Sequence, residues 1–390
     1  MQKFLSHLEC SVCEKVHSPE KLQTVCQSCG KSLVVRYDLK SAGTVFRRSD
    51  LAHAPNSFWK YAPLLPIEQE TNIVSLGECI TPLDHLHAVG KELGMSQLWM
   101  KDEGLLPTGS FKSRGLALAI SKAKELGVKS ICIPSAGNAA GASSAYAARA
   151  GMKCFVFMPE DTPSVNIKEC QAYGANVVLV KGNISDAAKA MNEARKSNPD
   201  WFDVSTLKEP YRLEGKKTMG YELAEQFGWD LPDAIFYPTG GGTGLIGMWK
   251  AFDEMGQLGW IGSKRPRMIS VQSSGCQPVV KAFNEKQNAT DFWNNATTIA
   301  SGLRVPKAFA DHLIMKAIYE SDGYAVAVSD EHIVAAVKEI ATKEGFFVCP
   351  EGAATLVALK TLLQQGVVKA NDRVLLFNTA TGLKYPEIIE

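Results

Sequence analysis

After Pro82 the apolar positions along the chain fall into two alternating patterns. Short continuous β-rich runs, Ser130–Pro134, Cys154–Met158, Asn176–Val180, Ala234–Tyr237, Arg267–Gln272 and Arg373–Phe377, predict buried strands. Between them Leu116–Leu126, Ala139–Ala150, Ile184–Lys196, Leu245–Met255 and Glu331–Lys343 carry apolar residues at helical spacing. Strands alternating with helices predict an α/β fold, a parallel sheet covered by helices. Ahead of this region, Val34 to Asn72 scatters Pro55, Pro63 and Pro66 around Phe58, Trp59 and Tyr61, which reads as an arm packed on a body.

Length and charge narrow the classes. At 390 residues there is room for roughly two or three domains and a cleft. Lys+Arg number 42 against Asp+Glu 41, with no basic run, so no nucleic-acid partner is expected. No stretch approaches the ~18 apolar residues that cross a bilayer, so no membrane partner is expected either. The N-terminal residues lack the apolar core of a signal peptide and run into paired cysteines, so the expected location is cytoplasmic.

Six of the 10 cysteines are scattered, as buried thiols usually are, and four form two Cys-x-x-Cys pairs, Cys10 with Cys13 and Cys26 with Cys29, separated by a twelve-residue spacer. Four thiolates at this spacing can close a tetrahedral Zn²⁺ site and give a small segment a core. A zinc ribbon is expected, with a structural metal because all four positions are filled; two redox pairs are the alternative.

Four further segments carry polar or glycine-rich chemistry next to predicted strands or helices. In Pro107-Thr108-Gly109-Ser110-Phe111-Lys112-Ser113-Arg114-Gly115, Ser110 is a candidate N-cap and Lys112 falls in a first helical turn, where the dipole disfavours the ammonium and favours a nucleophilic amine. Alone, it would be read as a solvated lysine. Pro134-Ser135-Ala136-Gly137-Asn138 offers backbone amides to a carboxylate and a directed side-chain amide, or is simply a helix start. Tyr237-Pro238-Thr239-Gly240-Gly241-Gly242-Thr243-Gly244 joins strand to helix and suits a phosphate. Its G-x-G-x-x-G pattern lacks an acid at the end of the next strand for a dinucleotide ribose, and a packed glycine turn is the plain alternative. Phe377-Asn378-Thr379-Ala380-Thr381-Gly382-Leu383-Lys384 follows the last strand, at the sheet edge where open α/β folds bind ligands.

Taken together, in this order, the four segments resemble the fold type II pyridoxal-phosphate enzymes of the tryptophan synthase β-like family, and within them the threonine synthase branch. The cysteine pairs followed by Leu33-Val34-Val35-Arg36-Tyr37-Asp38-Leu39 resemble that branch's zinc-ribbon extension. The resemblance implies two open three-layer α/β domains with pyridoxal 5'-phosphate between them, plus the ribbon. The corresponding boundaries are 1–35 for the ribbon, 36–106 for the arm and first part of the large domain, 107–212 for the small domain and 213–390 for the remainder of the large domain. It also implies that Lys112 is the Schiff-base lysine and that Asn138 meets the cofactor's phenolic oxygen. Gly240, Gly241, Gly242, Thr243 and Gly244 then hold the phosphate, and Thr379 faces the pyridine nitrogen. Ser135, Ala136 and Gly137 take the substrate carboxylate. Arg212, in Tyr211-Arg212-Leu213-Glu214-Gly215-Lys216-Lys217-Thr218, takes a substrate phosphate; its plain alternative is an exposed arginine starting a helix. The implied reaction turns O-phosphohomoserine and water into threonine and phosphate, in a homodimer acting on a small phosphorylated amino acid.

Four positions differ from the branch's common pattern and bear on substrate. These are Ala139, Ser113, Thr381 and the G-G-G-T-G loop, which leans toward threonine/serine dehydratases. Another fold type II lyase or synthase, a dehydratase or cysteate-synthase-like enzyme, is the alternative activity. A noncatalytic scaffold carrying a binding ribbon is the third.

Overall fold

The computed structural model describes residues 3–389. The chain divides into two compact units, one of residues 1–79 and 112–218, the other of 80–111 and 219–390.

The first unit starts with a three-stranded antiparallel sheet in which Leu5–Cys10 lies between Val16–His17 and Leu33–Tyr37. Two tight turns close it, with Glu14 at φ 56° and Gly30 at φ 69° just beyond the two cysteine pairs. The arm then forms a 3-10 helix, Phe58–Leu64, whose Phe58, Tyr61 and Leu64 are fully buried. The rest of this unit is a four-stranded parallel sheet, Asn176–Val180, Lys153–Pro159, Ser130–Pro134 and Phe202–Asp203 in spatial order. Among its helices are Lys112–Glu125, Asn138–Ala150, Ser164–Ala172 and Ile184–Lys196. Phe155 stacks on Trp201 at 3.8 Å beside a small core of Cys132, Phe157, Ala187 and Met191.

The second unit is built on a six-stranded sheet in the order Tyr324–Val328, Arg267–Ser273, Ala234–Pro238, Val374–Asn378, Leu98–Asp102, Leu83–His85. All neighbours are parallel except the edge pair Leu83–His85 with Leu98–Asp102. The central strands Ala234–Pro238 and Val374–Asn378 are buried at every position, as parallel strands covered on both faces must be. Helix Pro350–Gln364 packs against them with Leu356, Leu359 and Leu362 in the main core.

All six expected strands and five expected helices are present within a few residues of their ends. Elements that the periodicity did not reveal carry charge into the interior. Strand Leu98–Asp102 buries Lys101, whose Nζ donates to Glu222 at 2.9 Å, to Gln226 Oε1 at 2.7 Å and to Thr81 O at 2.8 Å. Helix Tyr211–Gln226 buries Arg212, Glu214, Lys216, Lys217 and Glu222, so it has no polar face to read.

The division also falls differently from the expected boundaries, since residues 36–79 belong with the first unit and its second segment runs from Lys112 to Thr218. Hydrogen bonds explain both shifts. The arm is tied to helix Lys112–Glu125, where Ser121 Oγ accepts from Val74 N and Glu125 accepts from Glu68 N and Gln69 N. Residues up to Phe111 are held instead by the segment after the last strand of the second unit, where Phe111 N donates to Thr379 O at 2.9 Å.

Candidate active site

In the second unit, Ala234–Pro238, Val374–Asn378 and Leu98–Asp102 are adjacent and parallel, so the three segments that leave their carboxyl ends rise along one sheet edge. From the first comes the glycine loop. Its packing is tight: a Cβ on Gly240 would lie 2.1 Å from Gly302 O, and one on Gly244 would lie 1.9 Å from the Tyr237 hydroxyl. Gly242 has φ 75° and caps helix Thr243–Gln257 without a side-chain acceptor, an arrangement able to receive an anion at the first N–H groups of that helix. The contacts of Gly240 and Gly244 are those of the packed glycine turn. The dinucleotide reading has no partner here, because Gln272 spends its amide on Thr239 O and on the N–H groups of Val279 and Val280.

The two other loops are bound to each other. Ser110 and Ala380 form a β-bridge, Thr381 N donates to Gly109 O at 2.9 Å, and Lys384 Nζ donates to Thr108 O at 3.0 Å. Thr108 and Gly109 both have left-handed backbones, φ 60° and 64°, and turn the chain sharply just before Lys112. Ser110 is not the N-cap expected of it: its Oγ is buried without a hydrogen-bond partner while its backbone joins Ala380. Thr379 is buried with Oγ1 3.6 Å from Cys349 Sγ. Beside it Asn378 accepts from Cys349 N and donates to Asp102 at 2.7 Å. Burial pushes the Asp102 carboxyl up and the Cys349 thiol well up, so the thiol stays protonated.

In the first unit, Lys112 is the half-buried first residue of its helix. Ser135, Ala136 and Gly137 follow strand Ser130–Pro134, and Asn138 opens the next helix, whose cap Gly137 likewise offers no side-chain acceptor. Asn166 Nδ2 holds this turn through Ala136 O at 2.9 Å. The two helices are linked within the unit by Tyr146, which donates to Glu78 and meets the side chain of Ser113, next to Lys112. Arg212 does start a helix, but it is buried and not exposed. Its Nη1 donates to Val204 O at 2.7 Å, its Nε has no acceptor, and burial lowers its pKa.

Cys10, Cys13, Cys26 and Cys29 place their sulfurs within 4.8 Å of one another, with Cys10 to Cys29 at 3.3 Å and Cys13 to Cys26 at 3.6 Å. Four thiolates about 2.3 Å from a common ion lie about 3.8 Å apart, so this cluster is able to hold a metal. Cys13 N approaches Cys10 Sγ at 3.5 Å and Ser28 N approaches Cys26 Sγ at 3.4 Å, contacts that favour thiolates.

Residues 74–380 match the family of pyridoxal-phosphate-dependent enzymes. Similar curated proteins include the threonine synthase of Methanocaldococcus jannaschii, 36% identical over 97% of this chain and 93% of the relative. The threonine synthase of Methanosarcina acetivorans is 34% identical over 98% and 93%. This chain belongs to the pyridoxal-phosphate-dependent enzymes, in their threonine synthase branch. Solved structures of the same fold include maize serine racemase, with TM-score 0.68 and 20% identity over 78% of this chain and 88% of that one. A tomato threonine deaminase gives TM-score 0.67 and 22% identity over 77% and 79%. Family membership accords with the donor sets described above: two helix N-termini without side-chain caps for anionic groups, and a lysine at a third.

Motif reading passed over Cys349, Glu351 and Tyr385, which cluster behind Thr379. A signal was present in Pro350-Glu351-Gly352, an acid in a first helical turn directly after an apolar run.

Proposed function

We propose that this chain converts O-phosphohomoserine and water into threonine and phosphate. The observation that carries the reading is the similarity to threonine synthases over nearly the whole chain, N-terminal cysteine pairs included. Pyridoxal phosphate, when bound, supplies the electron sink that permits proton removal at Cα and loss of the γ-phosphate.

The chain's residues supply the remainder. The Lys112 amine would hold the cofactor, and as a free amine it would move protons at the substrate carbons. The amides of Gly240 to Gly244, with the Thr243 hydroxyl, hold the cofactor phosphate at the positive end of their helix. Asn138 would offer its amide to the cofactor's phenolic oxygen, and Thr379 would offer the ring nitrogen a neutral hydroxyl that does not force its protonation. The amides of Ser135, Ala136 and Gly137 take the substrate α-carboxylate. Arg212 takes the substrate phosphate; with Nη1 fixed by Val204 and Nε lacking a protein acceptor, it is pre-oriented for an anion.

The metal of the cysteine cluster is zinc in this reading, with a structural role, and the protein works as a cytoplasmic homodimer. The test is to incubate purified protein with O-phosphohomoserine and follow phosphate and threonine together, with Lys112→Ala as control. Equal amounts of both products, absent in the variant, are expected. Ammonia and a keto acid from threonine or serine, with no phosphate released from O-phosphohomoserine, would show a dehydratase instead.

A further inference from the structure

Glu351 is the second residue of helix Pro350–Gln364, and it is only 4% exposed. Its Oε1 accepts from Gly302 N at 2.7 Å and from the Tyr385 hydroxyl at 3.2 Å, while Oε2 has no hydrogen-bond partner. No basic side chain pairs with it among the described residues. An acid buried with so little compensation is costly, although the helix N-terminus offsets part of that cost. None of the steps assigned above uses it.

Its contacts lead to the glycine loop. Gly302 sits in the 3-10 turn Ser301–Leu303, and a Cβ there would lie 2.8 Å from Glu351 Oε1. The carbonyl oxygen of the same Gly302 lies 2.1 Å from where a Cβ on Gly240 would stand. Gly302 is thus held on its N–H by Glu351 while its C=O abuts the first glycine of the loop. The Tyr385 hydroxyl donates to the same carboxylate oxygen. All of these residues belong to the second unit.

We infer that Glu351 is a positioning residue for the cofactor phosphate: it fixes the Ser301–Leu303 turn, and that turn fixes Gly240 so that the loop amides converge on one point. The inference rests on reading Gly240 to Gly244 as the phosphate loop. A glutamine retains the Oε1 acceptor and the volume, whereas an alanine leaves Gly302 N without its acceptor and frees the turn.

The test compares pyridoxal phosphate with pyridoxal, which lacks the phosphate. Both are titrated by absorbance into the apo forms of wild type, Glu351→Gln and Glu351→Ala, and the ³¹P resonance of bound cofactor is recorded. Wild type should prefer the phosphorylated form. Glu351→Ala should weaken pyridoxal phosphate roughly 10- to 100-fold, the scale of one buried donor left unsatisfied, with little change for pyridoxal and a moved ³¹P resonance. Glu351→Gln should stay within about 3-fold of wild type, since it keeps the acceptor. Should the alanine variant not fold, Tyr385→Phe removes the other donor and should move affinity and resonance in the same direction by a smaller amount. Unchanged preference and an unmoved resonance in the alanine variant, or in Tyr385→Phe where it stands in, would overturn the inference and leave the loop reading intact. No preference for the phosphorylated form in wild type would overturn both.

Discussion

Gly215→Ala tests the contact that joins the helices bearing Lys112 and Arg212. Within the first unit, a Cβ on Gly215 would lie 2.0 Å from Arg114 O and 2.8 Å from Gly115 Cα. Both obstacles are backbone, so no rotamer change relieves them. Because real Cβ contacts essentially never fall under 3.0 Å, the two helices must separate by about 1 Å. Overpacking of this kind costs about 1–3 kcal/mol, and the rigid surroundings favour the upper end. Alanine returns about 1 kcal/mol in helix propensity, which leaves about 2 kcal/mol of net destabilisation. For a unit of 150–250 residues that is a fall of about 4–8 °C in Tm. Lys112 and Arg212 each lie one turn ahead of the contact, so a 1 Å displacement there should lower kcat/KM for phosphate release about 100-fold. The assay is thermal unfolding alongside steady-state kinetics. Gly262→Ala, where nothing lies within 4 Å of the added carbon, serves as the neutral control and should stay within about 0.5 kcal/mol. A Gly215→Ala protein with wild-type Tm and wild-type kcat/KM would refute the close-contact argument.

Three further outcomes are expected. Lys101→Met strands the buried Glu222 carboxylate and should cost about 3–5 kcal/mol in denaturant unfolding, whereas adding Glu222→Leu should recover most of it; equal losses in both would contradict the pairing. For Asp311, burial works upward, but hydrogen bonds from His312 and Thr290 bring its carboxyl down to about 2. An acid whose folded pKa is depressed adds stability above its unfolded pKa and loses it as pH falls through the folded one, so acid titration should show a loss between about pH 4 and pH 2 that Asp311→Asn flattens. Metal analysis of purified protein should find a single zinc ion per chain, lost in Cys10→Ser or Cys26→Ser; a full-occupancy metal in either variant would count against the four-thiolate site.

Local patterns carried far in this protein where one face or one spacing encodes the outcome. Ile184–Lys196 has the ends its apolar spacing predicts, with Asn183 as its N-cap, and Asn176–Val180 matches its run of β-formers residue for residue. The cysteine spacing foretold the cluster, since two tight turns need only a few residues each to bring four sulfurs together. The glycine-rich and Ser135–Gly137 segments were legible as turns between strand and helix, because glycine, small polar residues and a following helical pattern are enough to build one.

Burial and pairing at long range were decided by the tertiary structure. Arg212 was expected to take a substrate phosphate, with an exposed arginine as the alternative, and its burial against Val204 O comes from helix packing; the buried Lys101 pairs with Glu222 and donates to Gln226, both more than 120 residues away. The arm joined the first unit through Glu125 and Ser121, partners that composition does not single out. Hydrophobic period and turn chemistry are properties of a few neighbouring residues, so the sequence alone determined most of the strands and helices, the cysteine cluster and the glycine-rich turns. The balance between desolvating a charge and pairing it depends on residues that only the folded chain brings together, and so the sites of Arg212, Lys101 and Glu351 were set by the tertiary structure.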